Sequence, residues 1–214
     1  MSYEIGIDVG GTFTDFVVRH SDDIFSGKVL TTPNDETAGI MNAISTSAEH
    51  FNLDIQSFLK SADNLVLGTT VVTNTMLEYS GATTGLITSK GFRDIIELRT
   101  GFKEDHFDIR LPAPYPIVPR QRRLGVTERI NHVGEVILAL NEDEVREAVN
   151  KLKELGVESI AVCLLFSFKN SAHEIRIREI INEEYPEAHV SLSSEVLPQV
   201  REFDRFSTTI LNAY

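Results

Sequence analysis

Ile5-Gly6-Ile7-Asp8-Val9-Gly10-Gly11-Thr12-Phe13-Thr14-Asp15, IGIDVGGTFTD, is the stretch from which the rest of the chain is best read. The runs YEIGIDV and TFTDFVV are apolar or alternating and meet at Gly10-Gly11, the pattern of a β-hairpin. A hairpin turn uses glycine. It has no need of Asp8, Thr12, Thr14 and Asp15 as well. Gly10 and Gly11 permit positive φ angles and bring bare backbone close to a ligand. Successive N–H groups in such a turn form a nest for an anion, to which the Thr12 and Thr14 hydroxyls can add donors. Asp8, at the end of the first strand, then stands beside the nest. A carboxylate next to a phosphate calls for a cation between them or a proton to take, and Mg²⁺ suits the first, with one or two carboxylates, waters and phosphate oxygens in its shell. The rival nucleotide motifs are absent: DVGGTF is not G-x-G-x-x-G, and no G-x-x-x-x-G-K-[ST] occurs.

A second stretch, GTTVVTN (Gly68 to Asn74), closes the apolar run NLVLGTT and opens a helix expected from about Val71 to Tyr79 and stopped by Gly81. NLVLGTT reads as a buried strand. A helix N-terminus points N–H groups outward and suits an anion. Threonine is also an ordinary cap, but one would suffice where Thr69, Thr70, Thr73 and Asn74 occur.

Outward from these loops the pattern is strand followed by helix. KVLTT reads as a third strand, stopped by Pro33, with Asn34 or Asp35 capping a helix that carries Ile40, Met41, Ile44 and Ala48 on one face. TTGLITS is a strand, and FRDIIELR a short helix after Gly91. From Thr100 to Arg123, Pro112, Pro114, Pro116 and Pro119 mark an extended excursion. TERI and EVILAL read as a strand pair around Gly134. Asn141 caps a helix running to Gly156 with Val145, Val149 and Leu152 inward. SIAVCLLFSF reads as a strand buried on both faces, Ser171 to Glu174 as a capping box, and HVSLS as a last strand. The chain closes on an amphipathic helix, with Val200, Phe203, Phe206, Ile210 and Ala213 at helical spacing and no stop signal at Tyr214. The expectation is an α/β protein with a mixed sheet, divided as 1–199 and 200–214, the second piece opening a further element of a longer chain.

Bulk composition excludes several classes. A net charge of -12 over 214 residues argues against a nucleic-acid surface. No apolar run approaches the roughly 18 residues that span a bilayer, and Met1-Ser2-Tyr3-Glu4 has neither the basic nor the apolar region of a signal peptide. Cys163, alone in SIAVCLLF, reads as a small buried hydrophobe, and the expected location is cytoplasmic.

Other candidates have plainer readings. The basic cluster Arg120, Arg122, Arg123 is either a solvated loop or a patch for an acidic partner, and short charge runs favour the loop. Arg99 and the TGFKEDHFDIR that follows can form a substrate-facing flap. Asp105, His106 and Asp108 have the residue types of a metal site, though a solvated loop explains them more simply. His173 reads as a capping or surface residue, and Ser193-Ser194-Glu195 as a helix cap, since no G-x-S-x-G accompanies it.

IGIDVGGTFTD resembles the first phosphate loop of the actin/Hsp70/sugar-kinase superfamily, and its GGTFTD form is similar to the ATP-dependent hydantoinase A/5-oxoprolinase family. The resemblance continues through LGTTVVTNTMLEYSGATTGLITSKGFRDIIEL, PIVPRQRR, VTERI, GVESIAVCLLFSF, AHE and SLSSEVLPQVREFDRFSTTILNAY. It implies an N-terminal ribonuclease-H-like lobe, a mixed sheet with flanking helices, in an enzyme using ATP and Mg²⁺. Such enzymes phosphorylate a substrate carbonyl oxygen before ring-opening of a cyclic amide, and act with a second catalytic subunit or as a homo-oligomer. Acetone- and acetophenone-type carboxylases are the alternative. A non-catalytic ATP-switched activator is the second, against which the lone Cys163 weighs because activators carry Fe–S cysteines. By the same resemblance Asp8 is the metal-associated carboxylate, and Gly10, Gly11, Thr12 and Thr14 are the phosphate cradle. Thr69 and Thr70 fall on the substrate or γ-phosphate side. Asp15 is either at the loop edge or simply outward on its strand. The second phosphate loop and the adenosine site are expected beyond Tyr214.

Overall fold

The computed structural model describes residues 2–32, 35–101, 107–108, 110–111 and 115–214. The chain divides into two compact units, Met1–Ser80 and Gly81–Tyr214, each with its own core. This boundary differs from the expected division at residue 199.

In the first unit the hairpin forms as read. Strands β1 (Tyr3–Val9) and β2 (Phe13–His20) pair antiparallel, with Asp8 opposite Asp15. β3 (Asp23–Leu30) extends the hairpin antiparallel, and β4 (Ala62–Thr69) lies parallel to β1, giving the order β3-β2-β1-β4. Strand alternation sends Tyr3, Ile5, Ile7, Val9, Phe16 and Val18 to one face. There they meet Ala43, Ile44 and Ala48 of helix α1 (Glu36–His50) and Phe58 of α2 (Ile55–Lys60). Asp35 caps α1, accepting the Ala38 N–H at 3.2 Å. Asn34 lies outside the described residues. Met41, expected inward, is exposed, and Ala43 and Ser47 take the buried side instead. α2, capped by Asp54, has no counterpart in the sequence reading. β4 is a correction: Leu65, Val66 and Leu67 are 46%, 66% and 51% exposed, because β4 is an edge strand beyond the reach of α1 and α2. Helix α3 (Val71–Glu78) is closed by Tyr79 in the left-handed region (φ 53°), not by Gly81.

The second unit is a parallel sheet of order β10-β9-β5-β6, from β5 (Thr84–Ser89), β6 (Arg123–Val126), β9 (Ser159–Cys163) and β10 (His189–Leu192). β5 and β9 are buried along their whole length. One face carries α5 (Glu142–Glu154) and α6 (Ala172–Glu184), through Val145, Val149, Leu152, Ile177, Ile180 and Ile181. The other carries α4 (Ile95–Leu98) and α8 (Glu202–Ala213), with Phe206, Ile210 and Ala213 packed on Leu86, Ala161 and Cys163. The final helix is therefore packed into this core. Val200 is outside the helix and exposed. A short ribbon, β7 (Arg129–Ile130) with β8 (Val136–Leu138), precedes α5. α7 (Ser193–Val196) follows β10.

The basic cluster is also corrected. Arg123 is fully buried in β6, donating to the Val118 carbonyl at 2.7 Å and to Glu97 at 2.9 Å, while Arg120 forms a two-point contact with Asp94. Ser171 makes no side-chain cap bond. Glu174, the other end of the expected capping box, is fully buried and accepts from Leu164 N–H, Ser193 Oγ and Ser194 N–H. No helix among the described residues is long and apolar enough to cross a membrane.

Candidate phosphate-binding site

The candidate residues converge within the first unit, where the β1–β2 turn meets the start of α3. Val9, the last residue of β1, accepts from Thr69 Oγ1 at 3.3 Å and from the Thr70 N–H at 3.2 Å. One carbonyl thus ties the helix entrance to the residue before Gly10. Asn74, one turn into α3, brings its amide over the turn: a Cβ added to Gly11 would lie 3.2 Å from Asn74 Nδ2.

The two glycines are needed for space. Neither has the positive φ expected from the sequence. A Cβ on Gly10 would meet the Phe13 carbonyl at 2.9 Å, the acceptor of Gly10's own N–H. That bond closes the turn, so Gly10 contributes structure. Among the described residues, the N–H groups of Gly11 and Thr12 have no partner within the chain, and both residues are exposed. They are the free donors of the turn.

Asp8 and Asp15 share the face opposite the helices, as their cross-strand pairing requires. Asp8 is exposed, and its carboxylate has no hydrogen bond or ion pair within the described residues. Its neighbour on β4 is Gly68, where a Cβ would stand 3.3 Å from Asp8 Oδ1, so glycine leaves one side of the carboxylate open. Asp15 lies 3.4 Å from Lys28 Nζ. A concavity of about 520 Å³ runs along this face over Gly6 and Val17, with Asp8, Asp15 and Lys28 at its wall. This places Asp15 on the outward face of its strand, paired with Asp8.

Two residues are placed otherwise than expected. Thr14 is fully buried on the helix side, its hydroxyl 3.0 Å from that of Thr31, which in turn donates to the Gly10 carbonyl at 2.9 Å. It braces the turn from beneath instead of facing a ligand, because strand alternation puts it on the face opposite Asp15. Thr69 Oγ1 is occupied between Val9 O and the Val71 N–H at the start of α3. Thr70 makes no side-chain cap bond and is exposed. Asp105 and His106 lie outside the described residues, and Asp108 is paired with Arg110 at 2.9 Å. Among the described residues, no group of three His, Cys, Asp or Glu is gathered as for a metal ion. An open carboxylate at the end of the strand that leads into free N–H groups suits a cation that takes its other ligands from water and phosphate, as Mg²⁺ does.

Fold and site define a class: an α/β protein with a glycine turn, free N–H groups and an open carboxylate at the end of its first strand. The pattern of the hydantoinase/oxoprolinase N-terminal region matches residues 4–185. The chain is 37% identical to the acetophenone carboxylase gamma subunit of Aromatoleum aromaticum, over 98% of its own length and 30% of that protein's. It is 34% identical to caprolactamase subunit alpha of Pseudomonas jessenii, over 99% of the chain and 31% of the relative. Nucleotide-free acetone carboxylase, from work on ATP-dependent acetone carboxylation, is similar in structure with a TM-score of 0.89 at 29% identity, covering 100% of this chain and 32% of that one. The ATP-dependent caprolactamase of P. jessenii gives 0.84 at 34% identity, over 99% and 31%. The chain spans 30% and 31% of the length of these two curated relatives. It belongs to the hydantoinase/oxoprolinase family and corresponds to its N-terminal region.

Proposed function

We propose that this chain is the ATP-phosphate-binding part of an ATP-dependent enzyme that opens cyclic amides by first phosphorylating the substrate carbonyl oxygen. The observation that carries the reading is the open Asp8 carboxylate beside Gly68 and the unpartnered N–H groups of Gly11 and Thr12. The N–H groups hold phosphate oxygens, and the exposed Thr12 and Thr70 hydroxyls add donors. Asp8 would hold Mg²⁺, with Asp15 on the same face. When bound, the ion neutralises charge on the transferring phosphoryl group, a reaction that needs positioning and charge stabilisation more than covalent help. The donors here are backbone groups already fixed by the Gly10–Phe13 and Val9–Thr70 bonds, so they need no reorganisation as charge develops.

The second reading is the nucleotide-binding part of a ketone carboxylase, favoured by the 37% identity to the acetophenone carboxylase subunit. In both readings the relatives named as subunits support a partner subunit. Phosphate release by the whole enzyme, assayed across hydantoins, 5-oxoproline, lactams and small ketones with and without bicarbonate, separates them. Release with a cyclic amide, independent of bicarbonate, is the expected result. Dependence on bicarbonate and a ketone selects the carboxylase. No stimulation by any of these substrates removes both.

A further inference from the structure

The second unit holds a carboxylate–histidine pair that the phosphate site does not use. Glu128, just after β6, is only 2% exposed and lies between two partners. Ser89 Oγ, at the end of β5, donates to its Oε1, and His173 Nδ1, in the first turn of α6, is 2.9 Å from its Oε2. Ser89 also accepts the Leu165 N–H at 3.1 Å, so the carboxylate is anchored to the ends of β5 and β9 together. A buried carboxylate accepts hydrogen bonds, so the Nδ1 contact places the imidazole proton on Nδ1. Nε2 then carries the lone pair, and among the described residues it has no hydrogen-bond partner. His173 as a whole keeps 8% of its surface exposed.

The position in the sheet adds a second, independent argument. In the order β10-β9-β5-β6 the connection from β5 runs to one side and that from β9 to the other. The strand order reverses between β5 and β9, and open parallel sheets bind ligands outside the carboxyl ends of their strands at such a point. Ser89 and Leu165 lie at that edge. The same edge carries backbone strain at Phe166 (φ 55°) and a hydroxyl, Thr88 Oγ1, buried without a partner.

We infer that His173 Nε2 is a proton-accepting site for an N–H or O–H group of a neutral ligand bound at the carboxyl edge of the β5–β9 pair, with Glu128 as the positioning residue. The ligand's proton moves to Nε2, its electron pair stays on the ligand nitrogen or oxygen, and the resulting imidazolium is held by Glu128. Ser89 keeps Glu128 in place. The inference stands on the second unit alone and does not depend on the phosphate cradle.

Two measurements on the 214-residue chain test it. Long-range ¹⁵N–¹H spectra of labelled protein read the tautomer directly and need no variant. A proton on Nδ1 of His173 is expected, and one on Nε2 overturns the inference. Diethyl pyrocarbonate, mapped by mass spectrometry, reports whether Nε2 is open and nucleophilic. His173 is expected to react in the native chain, and Glu128→Gln to slow that reaction by about tenfold. A His173 that reacts only after unfolding, or at an unchanged or higher rate in the folded Glu128→Gln chain, overturns it.

Discussion

At the scale of single residues, side chains with similar sequence settings part company according to which face they occupy. Asp8 and Thr14 sit on either side of one turn, yet Asp8 faces solvent and Thr14 is sealed beneath it against Thr31. Asp8→Ala in the whole enzyme is expected to abolish Mg·ATP turnover, with circular dichroism unchanged because the carboxylate supports no internal contact. Undiminished turnover refutes its role. Glu174 is the opposite case, a fully buried carboxylate with three donors and no exposure. Glu174→Gln puts an amide N–H where a donor already points. The expected loss is about 3 kcal/mol in urea unfolding, in the range for breaking a buried charged network. A loss below about 1 kcal/mol, the value of an ordinary hydrogen bond, would remove Glu174 from that role. Cys163 behaves as read from its sequence: burial pushes its thiol well up, and it packs with Phe206 and Ile210.

At the scale of elements, α5 was legible because cap, acidic first turn and apolar stripe all agree: Asn141 accepts the Glu144 N–H at 3.2 Å, and Val145, Val149 and Leu152 are buried. β4 was not, because a run of Asn64-Leu65-Val66-Leu67 says only that the strand is apolar. Whether anything covers it depends on its neighbours in the sheet. β6 carries no such sign, since Arg123 has the pattern of a loop residue, and Glu97 and the Val118 carbonyl satisfy it where it lies buried in the strand. The α5 surface also sets an acid dependence. The Arg176 guanidinium holds Glu142 below its ordinary value of 4.5, and the Thr127 hydroxyl, with Lys90, does the same for Glu144. Carboxylates with a depressed folded pKa bind protons more tightly when unfolded. Their contribution is therefore present above about pH 4.5 and lost as pH falls through the folded values. Melting temperature should fall on acidification through that window, and the Glu142→Gln/Glu144→Gln chain should show a shallower fall. An identical slope in the double variant would assign the acid limb to other groups.

At the scale of the molecule, each unit closes its own core, and residues 81–214 join α8 to the sheet that β5 opens. Expressed alone, residues 81–214 should give a dispersed amide spectrum and one cooperative melt. A collapsed spectrum would mean that this core needs the first unit. The 214-residue chain by itself is expected not to turn over ATP, since it carries one DVGG turn and no second DxGG stretch. Steady-state hydrolysis by this chain would sink that expectation. The sequence by itself determined the hairpin, the chain order of strands and helices apart from α2 and β6, and the residue types around the turn, because alternation, capping and glycine placement act over neighbouring residues. Only the tertiary structure decided that Gly10 closes the turn while Gly11 and Thr12 leave donors free, that Thr14 faces inward, and that Ser89, Glu128 and His173 meet. Those outcomes rest on sheet register and strand order, which join residues as far apart as Ser89 and Leu165 and leave no periodic trace along the chain.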